Sequence, residues 1–206
     1  MMPSPLVVPL LPFSLERNLG AAYNAALELV PDGGWACLLD HDMMFTTRVW
    51  FGQLLEAIAC RPDAGAFTVV TNRIAAPWQR AAEADRNNHD VAYHRKVGAA
   101  RVTTHRTLLD ITDTKGFGGV VMLLSKAAWR EVGGFPDGLL CVDHAMHFAL
   151  RAAGRRNYLI EGLYVYHWRR AFGDELPDDT PRVSNCPCRG PEPTPTVRIP
   201  LPERAQ

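Results

Sequence analysis

The chain has no charge excess of either sign: 22 basic and 22 acidic residues give a formal net charge of zero. No global field therefore draws it to nucleic acid or to an anionic membrane, although a local basic patch stays open. Long apolar runs are also missing. The run Pro5 to Phe13 holds three prolines and falls well short of the roughly 20 residues of a membrane span. It carries neither a basic leader nor a small-residue cleavage site, so no transmembrane segment and a cytoplasmic location are expected. Cysteine is scarce and odd in number, five in 206 residues, which rules out a complete disulfide framework. Only Cys186 and Cys188 are close, and their Cys-Pro-Cys spacing lacks the second pair of a zinc site, so free thiols are the expected state. There is no internal repeat, and no glycine-rich basic phosphate loop near the start.

What remains, 47% apolar and 21% charged residues, is the composition of an ordinary globular protein of one domain. Val7 to Leu11 reads as a short buried strand. Asn18 is a good N-cap for a helix with Leu19, Ala22, Tyr23, Ala26, Leu27 and Val30 on its apolar face, closed by Pro31-Asp32-Gly33-Gly34. Trp35 to Leu39 is an unbroken apolar run of strand length that stops at Asp40-His41-Asp42. A second helix follows from Thr46 or Thr47, ending near Arg61-Pro62. Ala66 to Val70 is then a strand running into Thr71-Asn72-Arg73. This alternation predicts an α/β fold with a mostly parallel central sheet flanked by helices, whose ligands gather at the carboxyl ends of the strands. Asp40, Asp42, Asn72 and Arg73 are thereby placed on one rim.

Residues 75 to 107 are polar and basic without clear periodicity, and read as a loop or lid insertion. Gly118-Gly119 opens the apolar run Val120 to Leu124. Ser125 caps a short helix through Trp129 that Gly133-Gly134 closes, and Val142 to Ala153 is a further helix with Gly154 at its end. Tyr158 to Tyr166 is a strand delivering His167. The catalytic domain is expected over residues 1–173, and 174–206 reads as a proline-rich extended tail.

Two carboxylates one residue apart, just after a buried strand, suit a hard cation such as Mg²⁺ or Mn²⁺ that also holds a diphosphate. Such a cation acts as a Lewis acid on the leaving group. Asp and His are also common loop and cap residues, so the pattern alone has a plain reading too. Its company adds to it. Asn18-Leu19-Gly20-Ala21-Ala22-Tyr23-Asn24 followed by Trp35 to Asp40-His41-Asp42 resembles the family-two GT-A glycosyltransferases, in which an Asn-x-Gly helix leads into the strand bearing an Asp-x-Asp metal motif. Gly118-Gly119 through Ser125, Trp129 and Gly133-Gly134-Phe135 looks like that family's acceptor-side strand and turn. Asp143 matches the second acid of its Glu-Asp pair.

The resemblance implies a GT-A fold and transfer of a sugar from a UDP- or GDP-sugar to the hydroxyl of a saccharide, or of a modified nucleic acid. Asp42 would bind the cation, Asp40 the cation or the nucleotide ribose, and His167 would complete the metal site. Asp143 would be the general base of an inverting reaction. Asn72 and Arg73 are candidates for the diphosphate or the acceptor. Gly118 and Gly119 would let a ligand approach the backbone. Each has a plainer alternative: a helix cap for Asp143, a strand-end histidine for His167, a bulge for the glycine pair. The chain departs from the family at two points. One strand and helix are missing between Phe13 and Asn18, and Val142 stands where the pair has its glutamate. A non-catalytic nucleotide- or sugar-binding relative, and a nucleotidyltransferase, are the competing readings.

Overall fold

The computed structural model describes residues 4–168, 183 and 193–202. One eight-stranded sheet organises them. Its strands are β1 (Val7–Leu10), β2 (Trp35–Leu39), β3 (Met43–Phe45), β4 (Ala66–Thr71), β5 (Thr107–Asp110), β6 (Val121–Ser125), β7 (Asn157–His167) and β8 (Arg198–Pro200). The helices are α1 (Leu19–Glu28), α2 (Trp50–Cys60), α3 (Val91–Thr104), α4 (Lys126–Glu131) and α5 (Val142–Ala152), with a 3-10 turn at Pro77–Gln79. The sheet runs β1-β2-β6-β4-β7-β5-β8, and β3 pairs with β7 off that path.

Alternation along the strands separates two cores. Ala36, Leu38, Ala66, Val70, Met122, Leu124 and Leu159 point to one face, where Tyr23 and Leu27 of α1, Trp129 of α4 and Met146 and Leu150 of α5 cover them. Trp35, Cys37, Phe67, Val69, Val121, Leu123, Tyr158 and Ile160 point to the other, under Leu54, Ala57 and Ile58 of α2. Central strands buried on both faces have no polar side to show, which is why they read as continuous apolar runs.

Four expectations change. The sheet is mixed and not mostly parallel: β1–β2 and β4–β7 are parallel, whereas β6 runs antiparallel to both β2 and β4, and β3, β5 and β8 are antiparallel to their neighbours. A fully buried apolar strand carries no mark of its direction, so the reversal of β6 was not legible. Residues 75–107, expected as a loop, contain the 3-10 turn and the fourteen-residue α3. Asp90 caps α3 by accepting from the Ala92 amide at 2.8 Å. It packs on β7 by means other than an apolar stripe: Arg101 donates to the Glu161 carbonyl at 3.0 and 2.7 Å, and His94 Nδ1 bonds the Tyr164 hydroxyl at 2.7 Å. Within the expected tail, Arg198–Pro200 pairs with β5 as the edge strand β8. Cys186 and Cys188 lie outside the described residues. The second helix starts later than a cap at Thr46 or Thr47 implies: α2 begins at Trp50 with Val49 at its N-cap and no side-chain cap bond, because Thr46 Oγ1 donates instead to the Tyr164 carbonyl at 2.6 Å. Asn18 Oδ1 caps α1 through the Ala21 amide, Ser125 Oγ caps α4 through Ala128, and Gly133, Gly134 and Gly154 all take positive φ where their helices end.

Candidate metal centre and cleft

The sheet brings Asp40, Asp42 and His167 together from distant parts of the chain. Asp40 follows β2, where its amide donates to the Val120 carbonyl at 3.1 Å and thereby fixes the end of β2 against the approach to β6. Asp42 precedes β3, whose antiparallel register sets Met43 opposite His167, and the Trp168 amide closes the ladder on the Asp42 carbonyl at 2.9 Å. His167 Nε2 then lies 3.2 Å from Asp42 Oδ1 and 3.6 Å from Asp40 Oδ2. One ligand atom from each residue falls within 4.8 Å of the others, a spacing that admits one cation between them.

The surroundings of His167 fit that role. Its ring Nδ1 is 2.8 Å from the Arg73 carbonyl, an oxygen that can only accept, so Nδ1 carries a proton and Nε2 is the nitrogen that faces the carboxylates and would coordinate a cation held there. A histidine fixed by a backbone carbonyl on its far nitrogen is the arrangement found behind metal-ligating imidazoles. The His167 amide in turn donates to Asn72 Oδ1 at 2.8 Å. Among the described residues, no ion pair to lysine or arginine neutralises Asp40 or Asp42. Burial, together with the neighbouring Asp42 and Asp143 charges, pushes the Asp40 carboxyl up to about 6 against the pull of His167. Burial acts on Asp42 as well, but there the hydrogen bond and charge of His167 prevail and hold its carboxyl below the usual value.

Beside the triad opens a cleft of about 450 Å³, lined by Asp40, His167, Asp143 and His144 among others. Asp143 sits in the first turn of α5. The N-cap is Cys141, in a left-handed conformation at φ 68°, so the capping alternative for Asp143 is not what the fold uses. Its Oδ2 accepts from the Gly119 amide at 2.8 Å and its Oδ1 from the His144 amide at 2.8 Å. These bonds hold the carboxylate in place at the cleft.

The other expected residues divide. Gly118 and Gly119 line the cleft. Gly118, however, is needed for packing: a Cβ there would overlap Ile74 Cδ1, with Ile74 Cγ1 at 2.5 Å. Its amide and carbonyl are both taken by the Gln79 side chain, at 3.0 and 3.1 Å. Asn72 is buried behind His167 and positions it from the rear. Arg73 donates to the Arg86 carbonyl at 2.6 Å and to Asn87 Oδ1 at 3.3 Å, away from the cleft. His147 is fully buried against Asn157 and not part of the metal cluster.

Sequence reasoning missed the wall formed by Ile74, Ala75, Leu139 and Leu140. The signal lay in the two motifs already noticed, which lock each other. Asn18 Oδ1 accepts from the Gly138 amide at 3.0 Å, and the Gly20 amide donates to the Gly138 carbonyl at 3.1 Å. Asn24 Oδ1 takes both Trp129 Nε1 at 2.9 Å and the Phe135 amide at 2.8 Å, while Asn24 Nδ2 donates to the Phe135 carbonyl. Gly20 has no room for a Cβ, which would overlap the Pro136 carbonyl. Asparagines 18 and 24 of α1 thus hold the 133–138 turn, and the turn delivers Leu139 and Leu140 to the cleft.

No protein-family model matches the chain, and no curated protein matches it. Among the described residues, no helix is long and apolar enough to cross a membrane.

Proposed function

We propose that the chain is a metal-dependent glycosyltransferase of the GT-A kind, moving a sugar from a UDP- or GDP-sugar to an acceptor hydroxyl, with Asp143 as general base. The observation carrying this reading is the Asp40-Asp42-His167 cluster, its imidazole fixed by the Arg73 carbonyl, with the further carboxylate of Asp143 lining the same small-molecule cleft. A cation held by two carboxylates and an imidazole nitrogen suits Mn²⁺ or Mg²⁺, and would stabilise charge developing on a diphosphate leaving group. Asp143 has the chemistry for the complementary task of accepting the proton of an attacking hydroxyl, and its two amide bonds hold the carboxylate for that task. The order of motifs along the chain supports the family resemblance.

A second reading, a nucleotide- or sugar-binding protein without turnover, draws support from β1. That strand is the edge of the sheet, where the family resemblance implies a further strand on the nucleotide side.

Calorimetric titration with UDP and with GDP, each with and without Mn²⁺, tests the donor site, using an Asp40→Asn, Asp42→Asn double variant as control. The glycosyltransferase reading expects nucleotide binding that needs Mn²⁺ and is lost in the double variant. It further expects Asp143→Asn to retain that binding while transfer falls on the order of 10²–10⁴-fold. Binding of nucleotide with no transfer to any hydroxyl would favour the second reading. Metal-independent binding unaffected by the double variant would overturn the site assignment.

A further inference from the structure

Resting on that reading, we infer that the acceptor is an uncharged hydroxyl compound with an apolar ring or chain beside the reacting hydroxyl. The cleft has two chemically distinct parts. One is acidic: the carboxylates of Asp40 and Asp143 both face it. The other is an apolar wall assembled from three separate segments: Leu19 of α1, Ile74 and Ala75 after β4, and Leu139 and Leu140 before α5.

Leu19, Leu139 and Leu140 are only half-buried and line the cleft, Leu19 while also packing against the core, so each leaves apolar surface open to a ligand. The fold also holds them there. Gly138 is gripped by Asn18 and Gly20, the Leu140 carbonyl accepts the Val183 amide at 3.0 Å, and Cys141 takes a left-handed conformation directly after Leu140. A non-glycine residue in that conformation is uncommon and marks a segment whose path is imposed by its surroundings.

The two parts together define a ligand. A cation at the Asp40-Asp42-His167 cluster engages the donor side, which leaves Asp143 and the apolar wall to meet the acceptor. An acceptor bearing a carboxylate or phosphate there would face the Asp143 charge inside a cleft of reduced dielectric, where like charges repel strongly. An apolar group next to the hydroxyl would instead cover Leu139, Leu140 and Leu19. The volume of about 450 Å³ falls in the range of small-molecule sites, enough for a compact acceptor end and not for a folded polymer. Three arginines of residues 80–106 do not alter this. Arg80, Arg101 and Arg106 line a different cleft with Arg198, and there they are bonded to Glu83, Glu56 and main-chain carbonyls.

Direct binding separates this inference from the reading it rests on. In the full chain with Mn²⁺ and UDP present, the dissociation constants of 4-nitrophenyl β-D-glucopyranoside, methyl β-D-glucopyranoside and 4-nitrophenyl β-D-glucuronide are measured by ligand-observed NMR. Mn²⁺ affinity is measured on the same samples. The aryl glucoside is expected to bind about tenfold tighter than the methyl glucoside, the gain of covering roughly one ring face, and tighter than the glucuronide, which carries the same ring but sets a carboxylate against Asp143. A Leu139→Ser, Leu140→Ser variant should remove the preference over the methyl glucoside with Mn²⁺ affinity unchanged. Leu19→Ser, on a different element, should reduce it independently should the double variant fail to unfold cooperatively. Leu140→Lys should bring the glucuronide level with the neutral aryl glucoside. Equal or tighter binding of the glucuronide by the native chain, binding of none of the three, or an aryl preference that survives both leucine variants would overturn the inference. Loss of Mn²⁺ binding alone would strike the metal reading and leave the acceptor preference standing.

Discussion

Asp40 makes the pH dependence of metal binding a quantitative test. A cation can bind its carboxylate only in competition with a proton, and that carboxyl stands at about 6, against an ordinary 3.8. The sign follows directly: above pH 6 the carboxylate is charged and the cation meets no competitor, and below it protons win progressively. For one competing proton the apparent dissociation constant rises by the factor 1 + 10^(pKa − pH). Between about pH 7.5 and about pH 5 this weakens Mn²⁺ roughly tenfold, where an unperturbed aspartate would weaken it by only about 6%. Asp42, held below the usual value, adds nothing over that interval. Mn²⁺ titrations followed by electron paramagnetic resonance across the range, on the native chain and on Asp40→Asn, give the assay. The variant should bind more weakly at every pH and with a shallower slope, the difference in slope being the share of Asp40. Identical slopes in the two proteins would refute the assignment of Asp40 as a half-buried ligand crowded by Asp42 and Asp143.

Other consequences are open to measurement. Asn72→Ala, which removes the acceptor for the His167 amide, should weaken Mn²⁺ about 10–100-fold while leaving a cooperatively folded protein, as judged by affinity and thermal melting together. Gly118→Ala should cost about 1–3 kcal/mol in urea unfolding through its clash with Ile74, and Ile74→Ala should rescue part of that loss in the double variant. Burial holds the His147 imidazole down at about 4, against 6.5 in an unfolded chain. Its contribution is therefore full above pH 6.5 and declines toward pH 4, because only the unfolded chain takes up the proton there. The loss is on the order of 3 kcal/mol, and His147→Gln should flatten that part of the stability curve. Asn24→Ala, losing three hydrogen bonds to the 133–138 turn, should destabilise by about 2–3 kcal/mol and raise amide exchange at Phe135.

The site was more legible than the sheet that builds it, and the reasons are local. Asp40-His41-Asp42 could be placed because an apolar strand ends abruptly at two acids, and strand ends are where α/β sheets present ligands. Asn18, Ser125 and the Gly133-Gly134 pair could be placed because capping and positive φ are decided within a few residues. Helix α3 escaped because it does not use an apolar stripe. His94, Gly98 and Arg101 are its buried residues, and buried histidine and arginine look like solvated ones until their partners Tyr164, Asn88 and Glu161 are known. Glycine 118 lines the cleft as its flexibility suggests, but its close packing on Ile74 is a contact no neighbour in the chain reveals.

By itself, then, the sequence determined what depends on neighbours in the chain: the caps and turns, the apolar runs that become β2, β4, β6 and β7, and the acids and histidine that end two of them. Only the tertiary structure decided what depends on pairing between distant segments. The reversal of β6, the β3–β7 ladder that carries Asp42 to His167, the carbonyl of Arg73 that fixes the imidazole, and the apolar wall that Asn18 and Asn24 hold in place are all of this kind. A buried strand reads the same in either direction, and a hydrogen bond across 94 residues leaves no periodicity behind it.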